Sequence, residues 1–407
     1  MELSLKVRLL VMSSGERHSL LVDAATGLPV YSPNLFLTSQ IRNAGRSHAS
    51  VASYASCLVI LYRFISERRI DLSERFRQLL FLTDSEIDAL RDFCKTNFDL
   101  QSTKIRQLQN IPGSRFGPKQ RVTKETEYKR LTVAANYLTW LARREVPHLE
   151  DESSGLMKMA RAIRARRPLS KGRNKGLVDR ALNDKELARL LEIIEVDNLE
   201  NPFQLLVRMR NRLIILMLYE LGIRAGEALN IRVEDFDFNC NCLKIIRRAG
   251  QLDDTRTLQP LVKTLDRNIP VADWLMAEVH RYIVIERSKI TSAKKCPYLF
   301  VTYKAGQTKG NAWSIAGYHK MWGALRAADP LLQTITGHRL RHTWNHRYST
   351  LVDNGVYKLS EAEEGATRSV LMGWKQGSGT AALYNHRHIV TKANQASLAL
   401  QTASMKK

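Results

Sequence analysis

Four segments in the C-terminal half of the chain carry side chains that could hold an anion such as a phosphate. His338 and Arg341 are three residues apart in GHRLRHTWNHRYS, and this spacing places them on the same side of a helix, where both could face one anion. Arg224 follows a predicted helix end at Gly222, and Lys263 lies at the end of a predicted strand or in the following turn. Each is a weak indication by itself, because surface arginines and lysines are mostly solvated or paired.

The fourth segment is LMGWKQGSGTAALYNHRH, which contains Trp374, a Gly-Ser-Gly stretch and Tyr384 within a short apolar run. A tyrosine in such a place is commonly an amphipathic core residue. His342 and His346 are four residues apart, a spacing that also suits a metal ion. No glutamate of the HExxH kind lies between them and no third ligand is evident, so we expect no metal site.

The charge of the chain favours a polyanionic partner. With 63 Lys and Arg against 40 Asp and Glu, the 407 residues carry a formal net charge of +23. Such a field attracts nucleic acid and releases its counterions on binding. Charge alone assigns no function, and a basic protein whose surplus serves solubility remains the alternative.

The composition also bears on the compartment. The five cysteines are scattered and lack the paired spacing of a zinc site or a disulfide framework, which fits a reducing cytosol. No N-terminal signal is visible, and the longest apolar runs are far shorter than the roughly 20 residues needed to span a bilayer. We therefore expect a soluble cytoplasmic protein with no membrane partner.

The elements that must position these side chains fall into four stretches. Residues 1–36 resemble a small β element, and 37–155 show the apolar periodicity of a helical domain. Residues 156–180 predict a linker, because eight basic residues occur between Lys158 and Lys175 without an acidic one, and proline and glycine break the run. A disordered hinge is the alternative, but we expect contacts with DNA phosphates from the linker's arginines and lysines: Arg161, Arg164, Arg166, Arg167, Lys171, Arg173 and Lys175.

The second domain is predicted for residues 181–407. Asn183 and Glu186 have the spacing of a capping box, which indicates a helix start. Helices dominate from there, and the runs CLKIIR, LQPLV and RNIPV predict short strands. The expected fold class is therefore mainly α with a small antiparallel β-sheet (α+β), in two domains.

In order along the chain, the four segments resemble the tyrosine recombinase (phage integrase) family. That family carries an arginine in a G-x-R-x-x-E box, a lysine in a K-T-x-x-x-R-x-I-P hairpin, a His-x-x-Arg box, a His or Trp, and a C-terminal tyrosine. The matching elements here are Gly222 to Glu227, Lys263-Thr264 with Arg267 and Ile269-Pro270, His338 to His342, Gly373-Trp374, and Tyr384. Trp374 stands where many members have histidine, and its separation from Tyr384 is one residue longer than the commonest spacing.

The resemblance implies a role for each basic residue of the constellation. Arg224 and Arg341 would clamp the phosphate, because planar guanidinium forks suit charge that builds on its oxygens. Lys263 would donate a proton to the departing 5′ oxygen, and His338 would be a base or positioning group near the tyrosine hydroxyl.

Tyr384 would be the nucleophile that forms a phosphotyrosine, and Trp374 would offer its indole N–H to the phosphate. Glu227 and His342 would orient the arginines and the backbone around them. No metal or other cofactor enters this chemistry, because positive side chains do the electrostatic work that magnesium does elsewhere.

The function that the resemblance implies is that of a site-specific recombinase or integrase of a mobile element, built as a two-domain DNA clamp. Its partners would be double-stranded DNA and, at synapsis, three further copies in a homotetramer, whereas the free protein would be a monomer. Two alternatives stay open. One is a type IB topoisomerase, although the Ser-Lys-x-x-Tyr context of eukaryotic members is absent; the other is a non-catalytic DNA-binding protein on the same fold.

Overall fold

The computed structural model describes residues 4–98, 121–147, 155–169, 180–356, 358–376, 393–394 and 396–402. The chain divides into two compact units. Unit 1 comprises Met1–Met12 and Arg17–Lys175, and unit 2 comprises Ser13–Glu16 and Gly176–Lys407. The predicted α+β class is confirmed: helices dominate both units, and each holds one small antiparallel sheet.

Unit 1 is a helical body with an N-terminal hairpin. The hairpin pairs β1 with β2 antiparallel, from Leu5 opposite Asp23 to Val11 opposite Arg17. Its elements are β1 (Leu5–Val11), β2 (Arg17–Asp23), α1 (Tyr31–Phe36) with a π-helical continuation (Leu37–Arg42), α2 (His48–Glu67), α3 (Leu72–Arg77), α4 (Asp84–Lys95), α5 (Lys124–Glu145) and α6 (Gly155–Ala165).

The hairpin belongs to the core of unit 1. Leu5 and Leu21 are buried in the same apolar cluster as Leu58 and Leu61 of α2. The interpretation of residues 1–36 as an element apart from the helical domain is therefore wrong. A two-stranded hairpin is marginal by itself, and packing on α2 supplies the apolar cover that it needs.

Helix α2 is long and apolar enough, by length and composition, to cross a membrane. Its inward face is nevertheless part of the unit 1 core, where Leu58, Leu61 and Phe64 are each at most 2% exposed. A buried core helix can be as long and as apolar as a membrane span, so its length and hydropathy alone do not indicate that α2 crosses a membrane.

The predicted linker does not begin at residue 156. Residues 155–165 form α6, and Leu156, Met159 and Ile163 are buried against the rest of unit 1. These residues follow the i, i+3, i+7 spacing of an amphipathic helix, whose opposite face carries the basic residues. The run of positive charge alone predicts a linker, whereas the apolar stripe on the other face makes residues 155–165 a helix.

Unit 2 holds the four candidate segments. Its elements are α7 (Asp184–Ile193), α8 (Leu205–Glu220), α9 (Ala225–Ala228), a 3₁₀ turn (Val233–Asp235), β3 (Phe236–Asp237), β4 (Cys242–Ile245), β5 (Arg267–Pro270), α10 (Asp273–Arg281) with a π-helical continuation (Tyr282–Glu286), 3₁₀ turns (Arg287–Lys289, Thr291–Lys295), α11 (Ile315–Ala328), a 3₁₀ turn (Pro330–Leu332), α12 (Gly337–Asp353) and α13 (Glu361–Met372). Its core gathers apolar residues from α7 to α12 and from the sheet.

The sheet of unit 2 has the antiparallel order β3-β4-β5. Leu243 lies opposite Ile269, and both are buried. The predicted strand LQPLV is wrong, since residues 258–262 form no strand. Its backbone is held by side chains instead: Asn230 Nδ2 donates to the Pro260 carbonyl at 2.6 Å. A proline lacks the N–H that a ladder requires, which disfavours a strand at this place.

Candidate active site

Arg224 is placed by the turn that ends α8. Gly222 has φ +60°, and a Cβ there would stand 2.7 Å from the Trp344 ring and 2.9 Å from the Met372 side chain. Only glycine adopts this conformation without cost in so tight a space. The next residues lead into α9, and Arg224 is the N-cap of that short helix, with its side chain 33% exposed.

Glu227 is a buried carboxylate at the centre of the site. It accepts hydrogen bonds from the Arg224 backbone N–H at 2.9 Å, from Arg267 Nη2 at 3.0 Å and from the Thr264 hydroxyl. Burial disfavours its charged form, but the Arg267 guanidinium and these hydrogen bonds outweigh burial and lower the pKa of Glu227 below its ordinary value. Glu227 is therefore ionised at neutral pH, and the positive charge of Arg267 balances it inside the fold.

Arg267 connects three segments of unit 2. Besides Glu227, it donates from Nε to the Leu371 carbonyl at 2.8 Å and from Nη1 to Thr264 Oγ1 at 3.1 Å. Gly373, at φ +64°, lies against it so closely that a Cβ would stand 2.6 Å from Nη1. The end of α13, the start of α9 and the segment after Lys263 are thus held by one guanidinium.

Lys263 lies in the irregular segment between β4 and β5. Its side chain is exposed, whereas the neighbouring Thr264 is buried on Glu227. The backbone N–H of Leu265 donates to the Gly373 carbonyl at 2.9 Å. Lys263 is therefore an exposed lysine immediately before two residues whose contacts hold the backbone in place.

Arg341 lies beneath the site on α12. It is 2% exposed, and it donates from Nη1 to the Gly222 carbonyl at 2.6 Å and from Nη2 to the Met372 carbonyl at 3.1 Å. Its guanidinium also lies 5.5 Å from the centre of the buried Trp374 ring. Arg341 therefore joins the turn that precedes Arg224 to the turn that precedes Trp374.

His338 lies one turn before Arg341, at the N-terminal end of α12. Its Nε2 is 3.1 Å from Nε2 of His342, and the two rings meet edge to face. Burial, followed by the positive charges of Arg341, Arg180 and Arg224, lowers the pKa of His338 below its ordinary value. A neutral imidazole at neutral pH can accept a proton.

Among the described residues, the structure thus brings together the predicted Arg224, His338, Arg341 and Trp374, together with Glu227, His342 and Lys263 around them. Tyr384 lies outside the described residues, and the described range that contains Trp374 ends at residue 376. Within the described ranges there is no group of three or more His, Cys, Asp or Glu side chains that could hold a metal ion.

The predicted DNA-binding arginines divide into two kinds. Arg161 on α6 is exposed. The others make contacts within unit 1: Arg166 pairs with Asp88 at 2.6 Å and Asp84 at 3.0 Å, Arg164 donates to Asn136, and Arg167 donates to Thr132. Lys171, Arg173 and Lys175 lie outside the described residues, and DNA binding by this whole set stays a prediction.

Sequence reasoning gave no role to Arg267 or Arg339. Arg267 was part of the motif, and its neighbour Thr264 offered a hint, but nothing local indicated that Glu227, forty positions earlier, is its partner. Arg339 lies between His338 and Arg341 and forms a two-bond pair with Glu186, the capping glutamate of α7, at 2.8 Å for each bond. No signal along the sequence connects these two residues.

Comparison with known proteins points to one family. The family model described as "Phage integrase family" matches residues 180–388, slightly more than half of the chain. The chain is 26% identical over 166 residues to the tyrosine recombinase XerA of Pyrococcus furiosus, which covers 40% of this chain and 46% of that protein. It is 24% identical over 279 residues to transposase A from transposon Tn554 of Staphylococcus aureus, covering 67% and 68%. The chain thus spans about half the length of the first relative and about two thirds of the second.

Solved structures agree at the level of fold. The XerH site-specific recombinase bound to its difH substrate in a pre-cleavage complex matches with a TM-score of 0.51 and 17% identity, covering 90% of this chain and 85% of that one. At this identity the likeness concerns the fold, which is two-domain and mostly helical with small antiparallel sheets.

Proposed function

The chain belongs to the phage integrase family, and on that premise we propose that it is a site-specific DNA recombinase that cuts and rejoins DNA through a covalent 3′-phosphotyrosine. The observation that carries the proposal is the convergence of Arg224, His338 and Arg341. Arg341 bonds the carbonyl two residues before Arg224, and both guanidinium groups act on the imidazole of His338. Such a cluster of positive charge is built to receive an anion.

In the proposed reaction, the Tyr384 hydroxyl attacks the scissile phosphorus. The bond from phosphorus to the tyrosine oxygen forms while the bond from phosphorus to the 5′ oxygen breaks, and no nucleotide is consumed because the new ester keeps the bond energy. The phenolic proton passes to His338, and Lys263 returns a proton to the departing 5′ oxygen. Attack by a free 5′ hydroxyl on the phosphotyrosine reverses these steps and joins the strands.

The remaining groups hold this arrangement. Arg224 and Arg341 bear the charge that develops on the non-bridging oxygens, and the Trp374 indole N–H adds a donor beside them. Glu227 forms an ion pair with Arg267 and accepts a hydrogen bond from the backbone N–H of Arg224. The carboxylate therefore orients these two residues, and its negative charge is balanced by Arg267. His342 touches His338 and sets the orientation of its ring.

The partners follow from the same proposal. Double-stranded DNA is the substrate, with unit 1 and the basic segment after α6 as further contacts. Similarity to a transposase of a transposon favours a mobile element as the source of the DNA sites. We propose a monomer in the free state and a homotetramer at synapsis, acting in the cytoplasm on the nucleoid. Residues 396–402 are helical with exposed Leu398 and Leu400, which suits a tail that packs on a neighbouring copy.

Trapping of the covalent intermediate tests the proposal. Nicked duplexes tiled across the DNA that flanks the gene are incubated with the full chain, and covalent complexes are separated on denaturing gels. We expect a complex with wild type, none with Tyr384→Phe, and a normal yield with Tyr31→Phe, an exposed tyrosine of unit 1. Equal yields with wild type and Tyr384→Phe would show that residue 384 is not the nucleophile.

Two further outcomes distinguish the alternatives. Specific DNA binding with no covalent complex on any duplex would indicate a DNA-binding protein on this fold. Relaxation of supercoiled plasmid that lacks a recombination site, with the same dependence on Tyr384, would indicate a topoisomerase. Recombinants that appear only between two copies of one flanking site support the recombinase.

A further inference from the structure

The side chain of Arg339 connects the backbone of Arg180 and Ala181, which precede α7, to the N-terminal end of α12. It donates from Nη2 to the Ala181 carbonyl at 2.9 Å and from Nε to the Arg180 carbonyl at 3.3 Å. Its two-bond pair with Glu186 holds the guanidinium itself in place. Charge-assisted hydrogen bonds from Arg339 therefore fix the backbone at Arg180 and Ala181.

A second contact holds the same segment. The backbone N–H of Leu182 donates to Thr343 Oγ1 at 2.9 Å, and the Leu182 side chain is buried in the unit 2 core. Residues 180–182 are thus attached to α12 at Arg339, between His338 and Arg341, and at Thr343, two positions after Arg341. Their position relative to those two residues is set by the fold of unit 2 alone.

The side chain of Arg180 is exposed, and its backbone carbonyl is bonded to Arg339, the residue that follows His338. The positive charge of Arg180 acts on the His338 imidazole together with those of Arg341 and Arg224, so its guanidinium belongs to the same cluster. Within the ranges that the structure describes, no carboxylate forms an ion pair with Arg180. Arg224, by comparison, lies 3.7 Å from the Glu227 carboxylate. The positive charges of the three arginines repel one another, and an anion bound near them reduces that repulsion.

We infer that Arg180 is a further phosphate-binding residue of this site, contacting a phosphodiester oxygen of the DNA strand that Arg224 and Arg341 hold. The inference rests on the proposed function for the identity of the anion. An exposed arginine usually points into water and binds nothing in particular. Arg180 differs because its backbone is held by Arg339 and its charge reaches the same imidazole as the two arginines of the motif.

Phosphate binding to the full chain tests this without any knowledge of the DNA target. Histidine ring signals are recorded by NMR at constant ionic strength, with His338 assigned through His338→Gln, first across a pH series and then with added inorganic phosphate. For Arg180→Gln we expect the pKa of His338 to rise towards its ordinary value and the phosphate affinity reported by His338 to fall roughly tenfold, the loss of one charge-assisted hydrogen bond. Arg180→Lys keeps the charge and should retain most of the pKa effect.

Lys185→Gln is the matched control, because Lys185 is an exposed cation five residues away on α7 and its loss changes the net charge equally. We expect it to leave both the titration and the affinity as in wild type. The inference is overturned if Arg180→Gln behaves like Lys185→Gln, or if it shifts the titration while phosphate affinity stays unchanged. Because neither measurement uses Tyr384 or DNA cleavage, such a result leaves the proposed recombinase activity to its own test.

Discussion

Replacing Arg267 by methionine tests whether the site depends on the buried pair between Arg267 and Glu227. The Arg267 side chain is 5% exposed and that of Glu227 is fully buried, with 3.0 Å between Nη2 and Oε2. Methionine keeps much of the apolar stem but leaves the Glu227 carboxylate without its neutralising charge. Removal of one partner from a buried pair lowers the free energy of unfolding by about 3 to 5 kcal/mol. Loss of the hydrogen bond to the Leu371 carbonyl lowers it further.

The pH dependence of this loss is characteristic of the pair. In wild type the pKa of Glu227 is lowered, so its contribution to stability is present above the ordinary carboxyl pKa and disappears as pH falls through the folded value. In Arg267→Met the lowering charge is gone and burial alone raises that pKa, so Glu227 is more readily protonated. The stabilities of wild type and variant should therefore approach one another as the solution is acidified.

Urea denaturation followed by tryptophan fluorescence measures the free energy of unfolding of unit 2, because five of the six tryptophans lie there: Trp274, Trp313, Trp322, Trp344 and Trp374. Arg281→Met is the matched control, since Arg281 is 61% exposed and its distance from Glu278 is 3.9 Å. Such an exposed pair contributes between about 0 and 1 kcal/mol. A loss below about 1 kcal/mol for Arg267→Met at neutral pH, or a loss that does not shrink in acid, would refute the reasoning.

Further predictions concern the turn at Gly373 and the charged groups. Gly373→Ala should destabilise unit 2 by more than the roughly 1 kcal/mol that alanine costs at a positive-φ position, because its Cβ would stand 2.6 Å from Nη1 of Arg267. Gly355→Ala is the control in the same urea titration, since Gly355 has φ +73° with open space around it and reports the backbone cost alone. Arg341→Lys should lower the rate of covalent trapping by roughly a hundredfold or more, because one ammonium cannot bond both carbonyls and the phosphate; a rate within a few-fold of wild type contradicts this. The trapping rate should decrease in acid with a midpoint below the ordinary imidazole pKa, because the lowered pKa of His338 keeps its ring neutral to lower pH. A midpoint above the ordinary imidazole pKa would count against His338 as the base. Arg161→Gln should weaken non-specific DNA binding and reduce the dependence of log affinity on log salt by about 1, measured by fluorescence anisotropy at several salt concentrations, and an unchanged slope would remove Arg161 from the DNA contacts.

Several elements follow from local sequence alone. Asn183 accepts from the Glu186 backbone and Glu186 reaches back to the Asn183 backbone, each at 2.9 Å, as the capping-box spacing predicts. The helix end at Gly222 is confirmed by its positive φ. Signals of this kind involve residues within one or two turns of each other, so the chemistry of neighbours is sufficient to determine them.

The family was likewise readable from the order of its motif residues, whereas the contacts among them were not. The partner of Glu227 is forty positions away, and Arg341 bonds carbonyls of two turns that lie far from it along the chain. Residues 155–165 show both kinds of information: the spacing of Leu156, Met159 and Ile163 is local, whereas the core that buries them comes from the rest of unit 1.

The amino-acid sequence by itself therefore determined which residues compose the candidate site, their order along the chain, and the starts and ends of several helices. Tertiary structure alone decided which charges are neutralised, which arginine reaches which carbonyl, and that the backbone of Arg180 is bonded to Arg339. The physical reason is that caps and periodicity act through neighbours along the chain, whereas burial and ion pairing depend on distances in space that only the folded chain sets.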